Sequence, residues 1–257
     1  MVSFLRQIWN TAAVRRRHPE LNEARVIRLD ALNKIRDEEF LRSGMSDVLT
    51  PVLFRKGTNG YHGSHHELKS VFAGVELGTW AIDEKTMDWF WDTLDQVNPS
   101  VILEFGSGCS TCLFAAWMRL RNPRGVVVSV DQNEWAAEQT CNWLRRVGLD
   151  GFVKVLVMPL DRYDNYIVKV ADIKNLLGGR TVDVVFSDGP AGRRGCRENT
   201  LPSVFGVLSS SAHWYLHDAL RDGELEILRK WESQPGVSVN GVLPFGNGLA
   251  IGTFDAR

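Results

Sequence analysis

The chain has few of the features that mark membrane or secreted proteins. Its 257 residues include no run close to the eighteen or so uncharged apolar residues of a membrane-spanning helix. Four cysteines are too few for the disulfide framework of a small secreted domain, which favours a reducing compartment. The 30 basic and 31 acidic residues give a net charge of −1, so no general attraction to nucleic acid or acidic membranes is expected. These absences predict a soluble, cytoplasmic protein with a small or locally recognised partner.

A hydrophobic content of 44% allows a large core, and the length favours one main domain with an extension. We divide the chain into a helical extension with a loop or lid, residues 1–77, and a main domain, residues 78–257. Residues 1–19 contain four arginines, no acidic residue and apolar residues at helical spacing. This pattern suits a basic helix in peripheral contact with a membrane, a helix packed on the main domain, or an organelle transit peptide.

The rest of the extension has two parts. Residues 20–41 keep a helical pattern with charges of both signs, which predicts a solvent-facing accessory helix. Between residues 43 and 80 the periodicity disappears and glycines recur, so we interpret this segment as a loop or lid. It contains His65 and His66, but adjacent histidines without a regular element to space them favour solvent or substrate contacts over a metal site.

From residue 83 onward the pattern becomes regular. Residues 83–97 predict a helix that stops before Pro99, and from Val101 apolar runs alternate with helical patterns. This alternation predicts an α/β fold with a parallel sheet covered on both faces, finishing in an antiparallel edge strand. The expected later helices include residues 166–177 and 200–208, and the expected fifth strand is residues 212–216.

The most informative stretch runs from Val101 to Thr111 and predicts a strand, a glycine turn and a helix. Gly106 and Gly108 would let the backbone turn sharply and approach a ligand closely. The following helix start would direct N–H groups and a partly positive end at that ligand. Cys109 and Cys112 form a Cys-x-x-Cys at this helix start, where packing at the turn is favoured over redox or metal use.

Polar residues follow each predicted parallel strand. In parallel sheets the ligand lies over the carboxyl ends of the strands, and charges there are costly to bury unless they are paired or used. These residues are Glu104, Asp131, Leu160-Asp161, Ser187-Asp188 and His217-Asp218. One shared site explains them together, although each acid alone could also be a helix cap, most readily Asp161.

The glycine turn helps to choose between nucleotides. An acid after the second strand, here Asp131, could hold the ribose of a nicotinamide dinucleotide or of S-adenosylmethionine. The dinucleotide fingerprint needs a third glycine where Thr111 stands, and no Tyr-x-x-x-Lys pair for hydride chemistry is present. Glu104 at the first strand end also suits a cofactor that carries a sulfonium and an ammonium group.

The segments Leu103–Gly108 and Val128–Asp131 resemble the first two motifs of class I S-adenosylmethionine-dependent methyltransferases. Residues 183–190 and 216–224 resemble the fourth- and fifth-strand segments of a group with an Asp-Gly-Pro turn. The resemblance extends from residue 78 to residue 254. It implies a three-layer, Rossmann-like αβα fold with a mostly parallel seven-stranded sheet and an antiparallel last strand.

The resemblance also implies roles for residues. Glu104 would face the methionine amino group through the loop, and Asp131 would hold the ribose. The neighbourhood of Leu160 and Asp161 would flank the adenine. The complete implied set of cofactor residues is Glu104, Gly106, Ser107, Gly108, Asp131, Leu160, Asp161 and Asp188. Methyl transfer requires the acceptor to be positioned and deprotonated.

The residues implied for deprotonation of the acceptor are Asp188, His217 and Asp218. Asp188 and Asp218 could share a Mg²⁺ that lowers the pKa of an acceptor hydroxyl. His217 as a metal-free base is equally compatible with the sequence. Arg194, Arg197 and Arg221 lie on adjoining loops and could hold an anionic substrate.

We therefore expect a methyltransferase that acts on a small-molecule or glycan-type acceptor, with oxygen favoured as the acceptor atom. The alternatives are a binding or scaffold protein without catalytic activity and, less favoured, an NAD(P)-dependent oxidoreductase. The oligomeric state stays open.

Overall fold

The computed structural model describes residues 13–22, 25–43, 58–78 and 81–256. Its centre is a seven-stranded sheet with the strand order β5-β4-β3-β6-β7-β9-β8; strands are numbered along the chain, and β1 (Thr58–Asn59) and β2 (Glu76–Leu77) form a separate pair. The strands are β3 (Val101–Phe105), β4 (Val126–Asp131), β5 (Val153–Val157), β6 (Val182–Ser187), β7 (Leu208–His217), β8 (Val237–Leu243) and β9 (Leu249–Asp255). Strands β5, β4, β3, β6 and β7 are parallel, and β9 is antiparallel to both its neighbours. This confirms the predicted mostly parallel sheet.

The last hairpin differs from the expectation in one respect. β9 is antiparallel as predicted, but it lies inside the sheet between β7 and β8. β8 is therefore the last strand at this edge of the sheet. The reason is hydrogen bonding: β9 pairs with β7 along its whole length, from Leu249 opposite His217 to Asp255 opposite Ser211. The turn between β8 and β9 is thereby carried to the carboxyl end of β7.

Helices cover both faces of the sheet and leave two apolar layers. They are α1 (Leu29–Ser43), α2 (His66–Val71), α3 (Glu84–Val97), α4 (Cys109–Arg121), α5 (Glu134–Arg146), α6 (Val170–Leu177) and α7 (Asp222–Glu232). Helix α3 begins at the predicted cap, because Asp83 accepts a hydrogen bond from the Thr86 N–H at 3.0 Å. It ends where Asn98 takes a left-handed conformation before Pro99. In the described ranges, no helix is both long and apolar enough to cross a bilayer.

Two predicted helices are shorter or different. Helix α6 begins at Val170 and not at residue 166, because Tyr166 pairs with Leu160 in a β-bridge and its ring is buried. Residues Pro202–Val207 form a 3₁₀ helix, and β7 already starts at Leu208. β7 begins with Leu208 and three serines, Ser209 to Ser211, which have no alternating apolar pattern. The sequence therefore indicated only the buried second half of β7.

The segment after residue 43 is more ordered than a loop. Within it, β1 (Thr58–Asn59) and β2 (Glu76–Leu77) pair antiparallel on either side of α2. The expectation of a loop is therefore wrong for Thr58–Asn59, His66–Val71 and Glu76–Leu77, while residues 44–57 and 79–80 lie outside the described ranges. Tyr61 donates a hydrogen bond to Asp88 of α3, and Trp143 of α5 donates one to the Val71 carbonyl at 3.3 Å. These contacts hold the segment against the main domain.

The N-terminal extension also packs on the main domain. Ile27 and Val242 exchange two backbone hydrogen bonds of 2.8 Å, which adds a bridge to the exposed side of β8. Leu32 and Ile35 of α1 are buried, so α1 is a packed helix, although Phe40 is half exposed. Of the basic stretch 1–19, residues 1–12 lie outside the described ranges.

The described end of that basic stretch contacts α1. Arg17 and His18 both bind the buried carboxylate of Glu39, and Val14 is only 2% exposed. The division of the chain at residue 77 stays a prediction.

The layer under α3 contains a compact aromatic group. Phe90 is fully buried, with its ring centroid 5.0 to 5.3 Å from the centroids of Phe114, Phe186 and Tyr215, all in edge contacts. Edge-to-face contacts of this kind add to the stabilisation from apolar burial. Phe90 thus joins α3 to α4 and to the ends of β6 and β7.

We predict that Phe90→Ala lowers the free energy of unfolding by about 3 to 5 kcal/mol, because it opens a cavity among these rings. Urea denaturation of both proteins would measure the loss. Leu120→Ala is the matched control: Leu120 is 44% exposed near the end of α4, and we expect a loss of less than about 1 kcal/mol. Equal losses for the two variants would contradict the packing described.

Candidate functional site

The polar strand ends meet in a cleft of about 640 Å³ at the carboxyl edge of the sheet. The glycine turn after β3 forms its floor, with Gly106, Ser107 and Gly108. Asp131 lies at one side, after β4, and Asp188, His217 and Asp218 lie at the other, after β6 and β7. The structure thus brings together most of the residues that the sequence placed in one site.

Two glycines bring the turns after β3 and β6 into direct contact. Gly106 has a φ of 98°, and a Cβ there would lie 2.7 Å from the Gly189 N atom. A Cβ at Gly189 would lie 2.8 Å from both the Gly106 Cα and the Tyr166 hydroxyl. The Phe105 carbonyl accepts hydrogen bonds from the N–H groups of Asp188 and Gly189 at 2.9 and 2.6 Å. Any side chain at either glycine would separate the two turns.

Glu104 does not line the cleft itself but lies behind the glycine turn, through which the resemblance expects it to face the cofactor. Its carboxylate is fully buried below the start of α4 and accepts hydrogen bonds from the hydroxyls of Ser110, Thr111 and Ser129. Burial raises the pKa of Glu104 to about 7, against the opposite effect of the three hydroxyl donors. The Thr111 hydroxyl also accepts from the Gly108 N–H at 2.9 Å. Glu104 therefore supports the glycine turn from behind.

Asp131 lies where the sequence placed it, at the rim of the cleft after β4. It is 4% exposed, and its carboxylate accepts hydrogen bonds from the Ser107 N–H at 2.8 Å and the Ser107 hydroxyl at 2.6 Å. The Asn133 N–H binds its other oxygen at 2.8 Å. A carboxylate has about four acceptor positions, so this second oxygen retains capacity toward a ligand.

Leu160 and Asp161 are not among the described residues that line the cleft. Asp161 is exposed, and its carboxylate accepts from the N–H groups of Tyr163 and Asn165 at 2.7 and 2.9 Å. These bonds, first that from Asn165, lower its pKa. Asp161 therefore closes its own turn, and the next helix begins only at Val170.

One wall of the cleft was not predicted from the sequence. Helix α5 contributes Trp135, Gln139 and Trp143, and the segment around β2 faces them with Glu76 and Leu77. The amphipathic pattern of α5 could have indicated this wall, since Trp135 is 68% exposed, outside the buried face of Ala137, Thr140 and Leu144.

A short contact in the cleft joins His217 to Asp188. His217 Nδ1 lies 2.8 Å from Asp188 Oδ1, and the imidazole is nearly buried. Burial lowers the pKa of His217, but the charges of Asp188 and Asp218 raise it more, so that it lies above its ordinary value. An imidazole oriented by a carboxylate in this way is a typical general base.

Asp218 is held from several sides and has a left-handed φ of 59°. Asn247, from the turn between β8 and β9, donates to its Oδ1 at 2.9 Å, and Arg221 Nη1 lies 2.9 Å from its Oδ2. Although burial opposes ionisation, the positive charges of His217, Arg197 and Arg221 keep the pKa of Asp218 well below its usual range. Asp218 is therefore a fixed negative charge behind His217.

Arg197 has a different place from the one expected. It is 5% exposed and contacts the carboxylates of Asp188, Asp218 and Glu224, not open solvent. Burial lowers the pKa of a guanidinium, but these three carboxylates raise that of Arg197 above its usual range. Arg221 lines the cleft as expected, whereas Arg194 lies farther out and pairs with Glu226 at 2.7 Å.

The donor set of the cleft is a poor match for Mg²⁺. Asp188, His217 and Asp218 have ligand atoms within 4.8 Å of one another, the only such group in the described part of the chain. Mg²⁺ prefers oxygen ligands with near-octahedral geometry. Here one donor is an imidazole already bonded to Asp188, and both carboxylates already contact Arg197.

The other two candidate clusters are structural. His65 pairs with Asp92 at 3.2 Å and His66 with its neighbour Glu67, so the two rings are engaged separately. Cys109 and Cys112 are buried free thiols, and burial raises the pKa of Cys109 to about 12. A thiol with so high a pKa is a poor nucleophile and metal ligand.

We predict that Gly189→Ala lowers the free energy of unfolding by about 1 to 3 kcal/mol, because its Cβ would overlap the Gly106 backbone. Thermal or urea unfolding would measure the loss. Gly151→Ala is the control, since a Cβ there meets no atom within 4 Å and its φ is not positive. A stability equal to that of the control would show that the two turns are not in contact.

Comparisons with known proteins agree with this arrangement. Residues 103–219, which include the glycine turn and the ends of β4, β6 and β7, match a family model described as a methyltransferase domain. No curated protein matches the chain in sequence at a significant level.

Solved structures share the fold at low sequence identity. One is the O-methyltransferase TomG from Streptomyces achromogenes, involved in tomaymycin synthesis and solved with SAM. It has a TM-score of 0.54 and 15% identity over 80% of this chain and 94% of that chain. The SAH-bound methyltransferase PaMTH1 from Podospora anserina has a TM-score of 0.54 and 16% identity, covering 76% and 91% of the two chains.

A third is the O-methyltransferase from Bacillus cereus in complex with SAH, with a TM-score of 0.54 and 13% identity over 70% of this chain and 84% of that chain. Residues 103–219 match a methyltransferase domain, and the chain shares its fold with methyltransferases solved with S-adenosylmethionine or S-adenosylhomocysteine.

Proposed function

We propose that the protein transfers a methyl group from S-adenosylmethionine to a hydroxyl oxygen of a small-molecule or glycan-type acceptor, with His217 as the base. The observation that carries the proposal is the 2.8 Å contact between His217 Nδ1 and Asp188 Oδ1 beside the glycine turn. It puts an oriented proton acceptor at the edge of the sheet where the turn can hold the cofactor.

The residues of the cleft fit S-adenosylmethionine. Gly106 and Gly108 line the cleft, and a Cβ at Gly108 would meet no atom within 4 Å, so its backbone is open to a ligand. The first residues of α4, Cys109 and Ser110, also line the cleft. The start of α4 attracts a carboxylate such as that of the methionine group. Asp131 retains acceptor capacity for ribose hydroxyls. When bound, the cofactor supplies a methyl group that its sulfonium activates for displacement.

Asp188 and Asp218 prepare His217 for proton removal. If Asp188 accepts the Nδ1 proton, the neutral tautomer leaves Nε2 unprotonated and able to take the proton of an acceptor hydroxyl. The two carboxylates then stabilise the imidazolium that forms. Asn247 and Arg221 fix Asp218 and so keep this charge in place. In this role Asp188 and Asp218 orient and stabilise, while His217 contacts the acceptor.

Oxygen is favoured as the acceptor atom on two grounds. TomG and the Bacillus cereus protein are O-methyltransferases by name. A base with a raised pKa also suits a hydroxyl, which must lose its proton as the bond to carbon forms. The acceptor would lie between His217 and the wall formed by α5 and the segment around β2, where Trp135 offers an exposed aromatic surface.

We predict that Asp131→Ala weakens S-adenosylmethionine binding at least about tenfold, because each hydrogen bond to a charged group contributes about 1.5 to 3 kcal/mol. Isothermal titration calorimetry would measure the affinity. Asp161→Ala is the matched control, since Asp161 is an exposed acid that closes its own turn. The affinity of this variant for S-adenosylmethionine should equal that of the wild type. If Asp131→Ala binds normally, the ribose has been placed wrongly.

We predict that the rate rises with pH through a pKa above the ordinary 6.5 of histidine, because only neutral His217 accepts a proton. S-adenosylhomocysteine formation would be followed from about pH 5.5 to 9, with acceptors drawn from phenols and sugars. Asp188→Asn removes a negative charge beside the imidazole, so this rise should move to lower pH and the maximal rate should fall. A profile of Asp188→Asn identical to that of the wild type would exclude the proposed pair.

A further inference from the structure

The cleft contains a buried cation that the proposed proton transfer does not use. Arg197 lies in the segment between β6 and β7, and its side chain is 6% exposed. Burying a guanidinium is costly unless its charge and its N–H groups are satisfied. Here two main-chain carbonyls accept from it: that of His217 from Nη1 at 3.0 Å and that of Pro190 from Nε at 3.4 Å. These bonds fix the guanidinium between the ends of β6 and β7.

The same guanidinium lies between the carboxylates that a metal would need. Arg197 Nη1 is 3.2 Å from Asp218 Oδ2, and Nη2 is 3.8 Å from Asp188 Oδ1. The other contacts of these carboxylates are also occupied, by His217 on Asp188 and by Arg221 and Asn247 on Asp218. A divalent cation would have to displace Arg197 before it could bind both acids.

The charges of the cluster balance without a metal. Asp188, Asp218 and Glu224 supply three negative charges, Arg197 and Arg221 supply two positive ones, and His217 supplies the third once it has taken up the acceptor proton. Adding a divalent cation would leave excess positive charge in a largely buried place, where it is poorly screened. Glu224 of α7 supplies the third negative charge of this cluster, and its carboxylate lies 3.8 Å from Arg197 Nη1.

We propose that the Arg197 guanidinium takes the place of a divalent cation between Asp188 and Asp218, so that this methyltransferase works without a metal. The inference rests on the proposed function, because it concerns the same cleft and the same reaction. Arg197 is a positioning residue: it keeps the two carboxylates apart and directed at His217. A guanidinium has no vacant site for an acceptor oxygen, so removal of the acceptor proton falls to His217.

The test is a titration with Mn²⁺, followed by electron paramagnetic resonance, of the full chain and its variants. We expect no stoichiometric binding to the wild type up to about 1 mM, the weak end of protein cation sites. Arg197→Gln frees both carboxylates, and we expect it to bind one Mn²⁺, which a second change, Asp218→Asn, should remove. Arg193→Gln is the control: Arg193 is 72% exposed and pairs with Asp164 outside the cleft, so this variant should behave as the wild type.

Two results would overturn the proposal. The first is one Mn²⁺ bound to the wild type and lost in Asp218→Asn, and the second is folded Arg197→Gln, checked by circular dichroism, that binds no Mn²⁺. Should Arg197→Gln not fold, the wild-type titration decides alone. Calorimetry with S-adenosylmethionine on the wild-type sample keeps the proposed function separate: absence of cofactor binding contradicts that function, whereas the Mn²⁺ result concerns Arg197 only.

Discussion

The close approach of Gly106 to Gly189 is the contact on which the cleft depends. Because neither residue has a Cβ, the Phe105 carbonyl can accept hydrogen bonds from both N–H groups of the turn after β6. The glycine turn and Asp188 are thereby joined to adjacent strands at one level of the sheet. The cofactor side and the acceptor side of the cleft are consequently parts of one rigid arrangement.

Two buried polar clusters support this arrangement from opposite sides. Below the glycine turn, the Glu104 carboxylate accepts hydrogen bonds from three hydroxyl groups of α4 and β4. On the other side, Arg197 contacts three carboxylates: Asp188 after β6, Asp218 after β7 and Glu224 in α7. Buried polar groups are tolerated when every donor and acceptor is satisfied, and a satisfied cluster fixes the geometry of the elements that it joins. The N-terminal extension contributes at a distance, since Arg15 donates to the Gly246 carbonyl in the turn that presents Asn247 to Asp218.

The predictions that succeeded depended on patterns short enough to be read along the chain. The apolar runs of β3, β4 and β6 and the glycine turn follow from side-chain periodicity and backbone freedom, so the parallel sheet and its polar edge were predictable. The start of α6 and the order in residues 58–78 were not, because the hydroxyls of Tyr166 and Tyr61 bind Gln132 and Asp88, which lie 34 and 27 residues away in sequence. Tertiary contacts override local pattern in such places.

For the site, the sequence by itself determined which residues stand at the strand ends: Asp131, Asp188, His217 and Asp218 all line the cleft. The sequence could not determine where the side chains turn. Only the tertiary structure directed Glu104 beneath α4, returned Asp161 to its own turn and buried Arg197 between two acids. The physical reason is that strand periodicity sets a residue's position along the sheet, whereas the direction of a charged side chain is chosen by the partners that compensate its desolvation.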